Sequence, residues 1–455
     1  MAKIKETKSS KGGAKDGARS SSSAGGPAAG AKSAAGGAGK GGGKAGGGGS
    51  TGGGPRPDRN IFLGDDAGKL FKTAGGVGVV FLAISFALGF GEGDDLKHFS
   101  YSYLVSFMWV LSIALGALWW VTLQHLVNAS WSIVARRVGE LLAVAMPLIA
   151  VLSLPIVAQA MMGKATLFPW ADPQAVHDDH ILHHKAAYLN PTFFLIRCLI
   201  YFGFWSLLAR YWLKSSVQQD QSAQPSLNPN LRAVSAPSMI AIALTLTFCV
   251  FDFVMSLDKL FFSTIFGVYY FAGCVISINS VLVLSLMWIQ KQQRLVGMVT
   301  VEHYHDLGKM MFAFIVFWSY IAFSQFMLIW YANIPEETAW FKPRFAGDWK
   351  IVSAALLIGH FALPFLGLMS RQIKRNKTTL AFWAVWLLVI HWVDLYWLVM
   401  PQFDPSGPPF GLLDITCWIG LASLLVAAVA YQAQKVTLVP TKDPRLEKSL
   451  AFENI

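Results

Sequence analysis

Charge is scarce in this chain. Of its 455 residues only 14% are Asp, Glu, Lys or Arg, against about 25% in an ordinary soluble domain. The shortfall is deeper than the average, because the first 70 residues are polar and dilute the rest. Cysteine is scarce too: Cys198, Cys249, Cys274 and Cys417 each sit in an apolar run, and no two are spaced as CxxC or CxxCH. That spacing excludes covalent haem c, cysteine-ligated iron–sulfur clusters and zinc ribbons. Period-2 alternation is missing from the apolar runs, which are also about twice as long as barrel strands, so a transmembrane β-barrel is excluded.

What is present is apolar and aromatic. Hydrophobic residues make up 54% of the chain, with 17 Trp, 32 Phe and a mean hydropathy of +0.47. Ten apolar runs stand out, at 71–90, 103–123, 141–162, 192–212, 237–257, 265–289, 309–331, 351–370, 378–400 and 411–434. Each is about 20 residues long and at 1.5 Å per residue crosses a hydrocarbon core of ~30 Å. The first is the weakest, since Gly75, Gly76 and Gly78 leave it little apolar area. The expectation is an all-α polytopic membrane protein with a membrane domain over 71–434. Laying the second to fifth runs on the sixth to ninth gives a faint repeat, because Asp252 and Asp394 each fall five or six residues from one helix end. This predicts two four-helix bundles, about 103–257 and 265–400, flanked by two peripheral helices.

Residues 1–54 contain 19 Gly, 11 Ala and 8 Ser. Such a segment buries too little apolar surface to offset its chain entropy, so a disordered tail over 1–70 is expected. No apolar segment of signal-peptide type follows its charged start. The net charge of +11 resides largely here: residues 1–70 hold twelve Lys or Arg against five Asp or Glu. A basic flank on a membrane protein reports orientation and contact with anionic lipid, so nucleic acid is not expected as a partner. The four connections on the tail's side carry ten Lys or Arg and the five on the other side carry seven. Both termini, including the C-terminal tail 435–455, are therefore expected in the cytoplasm.

Each ionisable residue inside an apolar run costs about 2.5–3.5 kcal/mol on insertion scales and needs a reason. His360 and His391 are each nine residues from the outer end of adjacent antiparallel runs, which puts both about 14 Å deep. Asp394 follows His391 by three residues and shares its face. Two imidazoles at one depth suit a b-type haem, a proton relay oriented by Asp394, or hydrogen bonds that fix packing. Arg197 and Asp252 lie at equal depth on neighbouring runs, which suits a structural ion pair or a proton exit through Asp252. At the inner ends His125, Glu140, Glu302, His303, His305, Asp306 and Lys309 gather, as a solvated face or a proton entrance. His177, His180 and His184 share a helical face, as a zinc set or an interfacial helix, the second being favoured.

Two stretches carry a resemblance: FDFVMSLDKLFFSTIFGVYYFAG at 251–273 and WSYIAFSQFMLIWYANIPEETAWF at 318–341. They resemble signatures of the polytopic subunits of bacterial alternative complex III, a quinol:cytochrome c (or high-potential acceptor) oxidoreductase. Those subunits are similar to the NrfD family of polysulfide reductases, and the ActF-type copy is the better match. The resemblance covers roughly 60–440. It implies ten helices in two four-helix bundles and a bacterial inner-membrane location. Haem c and iron–sulfur clusters would sit in partner subunits rather than in this chain. The implied partners are a multihaem cytochrome c subunit, an iron–sulfur subunit, a paralogous ten-helix NrfD-like subunit, further subunits of the complex and a terminal oxidase, with surrounding lipid. The implied role is scaffolding with proton conduction and contact with quinol. The matched polar positions are Asp252, Asp258 and Lys259 in the first stretch and Ser324, Gln325 and Asn333 in the second. A free-standing secondary transporter and a haem-b anchor are the alternatives. Matched helix breaks in both halves would favour the transporter, but Pro147 and Pro155 interrupt the third run and only Pro364 the eighth.

Overall fold

The computed structural model describes residues 59–222 and 227–454. The small-residue segment 1–54, expected to be disordered, lies outside them. Among the described residues there is no strand, and ten helices are long and apolar enough to cross a membrane. They are α1 (Asp65–Gly91), α2 (Lys97–Leu126), α3 (Ile133–Met161), α4 (Pro191–Ser222), α5 (Pro229–Leu257), α6 (Phe266–Lys291), α7 (Val301–Ala332), α8 (Trp349–Met369), α9 (Lys377–Gln402) and α10 (Leu412–Ala433). An even number of crossings puts the start of α1 and the end of α10 on one side, here called the tail side. The protein is an all-α polytopic membrane protein.

Helices α2 to α5 form one bundle and α6 to α9 the other, joined where α2 meets α6 and α9 and where α5 meets α6. Helix α2 sits among α3, α5, α6, α9 and α10, and 94% of its apolar stretch is buried, whereas 17% of the equally apolar stretch of α1 is. Close approach of the two bundles depends on Gly116 of α2, where a Cβ would collide with the Cys274 carbonyl of α6.

The peripheral helices α1 and α10 pack chiefly on each other. Cβ atoms on Gly78 and Gly420 would fall 2.7 Å and 2.9 Å from Leu424 and Leu82 across that contact. Ser85 of α1 donates to Thr416 of α10 at 2.8 Å. Of the glycines that make α1 a weak apolar run, Gly78 and, less closely, Gly75 face α10 while Gly76 is exposed, and the first two are the small-residue surface on which such helices associate.

The structure corrects one boundary. The expected tail reaches to residue 70, yet α1 begins at Asp65, Leu63 and Ala67 are buried, and Asn60 bonds both the amide and the carbonyl of Val296. The C-terminal segment, read only as a tail, lies against the membrane domain and buries Leu438, Val439, Asp443 and Ser449.

Prolines shape two spans. Pro147 and Pro155 withdraw N–H groups, and α3 is divided into helical pieces at Val144–Ala145 and Ser153. In α8, Pro364 has no N–H to give the carbonyl of His360 four residues earlier, and the helix widens into a π turn over Leu357–Ala362.

Candidate functional site

That π turn carries His360 into the middle of the second bundle, fully buried. Its ring lies 3.8 Å, centre to centre, from the indole of Trp318 on α7 and 6.3 Å from the ring of His391 on α9. Neither nitrogen of His360 has a hydrogen-bond partner. A buried polar group without a partner is uncommon, and π turns recur at functional sites.

His391 is oriented more firmly. Ser112 of α2 donates its hydroxyl proton to the Trp109 carbonyl at 2.7 Å, so its oxygen accepts from His391 Nε2, 3.1 Å away. A neutral imidazole that donates from Nε2 leaves Nδ1 bare. That nitrogen faces Asp394 Oδ2 at 3.9 Å. Gly273 of α6 makes room for the ring, since a Cβ there would occupy the space of His391 Cε1.

Asp394 is 1% exposed. Tyr269 of α6 donates its hydroxyl to Oδ1, and Trp318 donates Nε1 to Oδ2 at 3.2 Å. Among the described residues no Lys or Arg reaches this carboxyl. The arrangement is a carboxylic group held by two neutral donors, with an unprotonated imidazole nitrogen beside it. Such a set can accept, hold and pass on a proton.

Tyr269 and Trp318 have second faces on a cavity of about 550 Å³ between α7 and α8. Half of its lining residues are aromatic, including Phe326, Phe345, Phe361 and Trp397, with Ser319, Gln325, Ser353 and Lys350 as polar points. The same two side chains therefore touch both the buried carboxyl and an apolar chamber.

The first bundle places its carboxylate differently. Arg197 of α4 donates from Nε and Nη2 to both oxygens of Asp252, each at 2.8 Å, and Tyr201 donates to Oδ2 at 2.9 Å. The third guanidinium nitrogen donates to the Tyr188 carbonyl at 2.8 Å, and the Tyr188 ring lies 3.9 Å from the guanidinium carbon. This is the ion-pair geometry, with every polar atom used.

The tail-side residues separate into two groups. Glu140 lies between Arg136 at 3.2 Å and Arg137 at 3.0 Å. Arg136 continues to Asp443 and Arg137 to Asp220, both at 2.7 Å. With Arg445 on Asp443 at 3.0 Å, three guanidinium groups balance three carboxylates. Burial disfavours the charged form of Asp443, but the Arg445 hydrogen bond and the charges of Arg136 and Arg445 outweigh it and hold the carboxyl below its ordinary range. His125 stacks on Trp212 at 4.9 Å beside this group, its Nε2 without a hydrogen bond. The second group pairs Asp306 with Lys309, Lys309 with Asn454 at 2.8 Å, and Glu302 with Arg375. His303 reaches the Ser449 carbonyl at 3.1 Å.

Of the positions matched by resemblance, Asp258 accepts from Gln402 at 2.9 Å, and Lys259 pairs with Asp179. Gln325 accepts from Ser263 at 3.1 Å, with half-buried Ser324 next to it. Asn333 ends α7 in a left-handed conformation, φ 49°. His177, His180 and His184 do not share one helix, because Asp179 is extended and caps a new turn at His180. Among the described residues no group of three or more His, Cys, Asp or Glu could hold a metal ion.

Sequence reasoning missed Tyr269, Trp318 and Ser112, which define the Asp394–His391 site. It also missed the fully buried Arg344, whose guanidinium bonds the Trp340, Trp397 and Leu398 carbonyls, and Asp414, which accepts from Ser102. Tyr269 lies inside a stretch singled out for its resemblance, and Trp318 opens the other, but an aromatic in an aromatic-rich run gives no signal of its own. Compared with known protein families and with curated proteins, the chain matches none.

Proposed function

We propose that this chain is an integral subunit of a respiratory quinol:electron-acceptor oxidoreductase of the alternative complex III type. It scaffolds the redox subunits and conducts protons through its second bundle. In this reading it lies in the bacterial inner membrane with both termini in the cytoplasm. Haem c and iron–sulfur clusters belong to the partner subunits, which include a multihaem cytochrome, an iron–sulfur protein and a paralogous ten-helix subunit.

The observation that carries the reading is Asp394: a carboxyl deep in the bilayer with no cation, two neutral donors and the bare Nδ1 of His391 at 3.9 Å. Ionisable groups inside a membrane are rarely kept for packing alone. The contact of Tyr269 and Trp318 with the aromatic chamber supports coupling to a hydrophobic ring compound such as quinol.

The test is proton release per electron in sealed proteoliposomes of the purified assembly. Asp394→Asn keeps the hydrogen bonds from Tyr269 or Trp318 but removes the titrating proton, so it lowers the ratio while quinol oxidation continues. An unchanged ratio in Asp394→Asn and in His391→Gln would reduce the chain to a scaffold. Co-purification from native membranes without any haem-bearing band would reject membership of such a complex.

A further inference from the structure

The break that Pro147 imposes on α3 has a consequence on the outside of the bundle. Where the helix parts at Val144–Ala145, a groove opens between α3, α4, α1 and α10. It has two limbs that share Val144, Arg210 and Gln432. The polar limb, about 760 Å³, is lined by Arg210, Lys214, Gln218, Gln221 and Gln432. The apolar limb, about 540 Å³, runs past Phe71, Val79, Pro147, Leu148, Leu424 and Ala428.

The depth suits an amphiphile. Arg210 is nineteen residues into α4, about 28 Å along the axis from the far side. That is the thickness of the hydrocarbon core, so its guanidinium reaches headgroup level on the tail side. Lys214 follows one turn later on the same face. Both are exposed, and among the described residues neither has a carboxylate partner and no acidic residue lines either limb. The nearby acid, Asp220, is already taken by Arg137. Two unpaired cations at headgroup depth, continuous with a groove toward the bilayer centre, fit one kind of molecule: basic pockets between transmembrane helices hold anionic lipid headgroups.

We propose that this groove is a binding site for one anionic diacyl phospholipid. Its phosphate lies between Arg210 and Lys214, and one acyl chain lies in the limb formed by α1, α10 and the broken segment of α3. The lipid fills the wedge that the proline break leaves and ties α1 to the first bundle. The site goes beyond proton conduction and does not depend on it.

The experiment uses the full chain, purified in detergent, stripped of lipid and exposed to phosphatidylglycerol or phosphatidylcholine, with bound lipid read by native mass spectrometry. The wild type retains one phosphatidylglycerol, and phosphatidylcholine in excess does not displace it. Arg210→Gln with Lys214→Gln lowers retention by about tenfold or more, whereas Arg232→Gln with Arg371→Gln leaves it unchanged. The charge-preserving exchange Arg210→Lys with Lys214→Arg keeps retention, which separates loss of charge from loss of fold. Ala428→Leu, which narrows the apolar limb, lowers retention of phosphatidylglycerol while its cations remain. Equal retention of the two lipids, full retention by the double Gln variant, or displacement by inorganic phosphate alone would each overturn the assignment.

Discussion

Asp252 and Asp394, one in each bundle and each five or six residues from the end of its apolar run, differ in one respect that decides their chemistry. Asp252 is clamped by both arms of Arg197 and by Tyr201. Asp394 is met by Tyr269 and Trp318, which bring hydrogen bonds and no charge. A buried carboxylate bound bidentately to a guanidinium is locked into its ionised form, since protonating it strands the cation. A carboxyl held by neutral donors has no such lock. The first bundle therefore uses its aspartate to join α4 to α5, and in the second no cation ties the aspartate to one protonation state.

The largest test of this contrast is Arg197→Leu, which leaves Asp252 fully buried without its cation, so that it must stay charged in an apolar setting or take up a proton. A loss of about 3–5 kcal/mol is expected, as for other broken buried pairs, seen as poor recovery and a much lower melting temperature in detergent. Replacing both partners, Arg197→Leu with Asp252→Leu, restores most of that loss, because no buried carboxyl is left without its partner. If the double variant were as unstable as the single one, the pair would not be the reason for the loss.

Next in size is Asp443, a paired carboxylate outside the membrane spans. Asp443→Asn removes the partner of Arg136 and Arg445 and costs about 1.5–3 kcal/mol. Its folded-state pKa is depressed, so its contribution is present above its unfolded value and is lost as pH falls toward the folded one. The gap in melting temperature between wild type and variant is therefore constant from pH 7 to pH 5 and narrows below about pH 4. A gap that widened with acid would contradict the pairing.

The smallest stability effect belongs to the second bundle. Tyr269→Phe and Asp394→Asn each remove part of a neutral hydrogen-bonded set, costing about 1 kcal/mol. Thermal melts of these two variants should stay close to wild type while Arg197→Leu collapses. A collapse of Asp394→Asn on the same scale would make the two aspartates equivalent and both structural.

The legibility of these sites follows from the same contrast. Helix register locates a residue along the membrane normal, so equal depth brought Arg197 to Asp252 and His360 to His391 on paper. The i, i+3 step from His391 to Asp394 is local and was equally visible. Register says nothing about which flanking helix turns a side chain toward the site. Tyr269, Trp318 and Ser112 arrive from α6, α7 and α2, and their positions depend on crossing geometry. The π turn that swings His360 inward depends on how α8 responds to Pro364, and the zinc-like histidine spacing failed because Asp179 breaks the helix it assumed.

By itself the sequence determined the solvent, the number of crossings and the level of the ionisable groups it placed inside the apolar runs, because each follows from local hydropathy and a rise of 1.5 Å per residue. Only the tertiary structure decided which carboxylate meets a cation, that the C-terminal segment joins Arg136 through Asp443, and that Gly78 of α1 lies in its contact with α10. Those are choices of partner between segments far apart in the chain. They are settled by packing and charge compensation in three dimensions, which no local pattern of residues records.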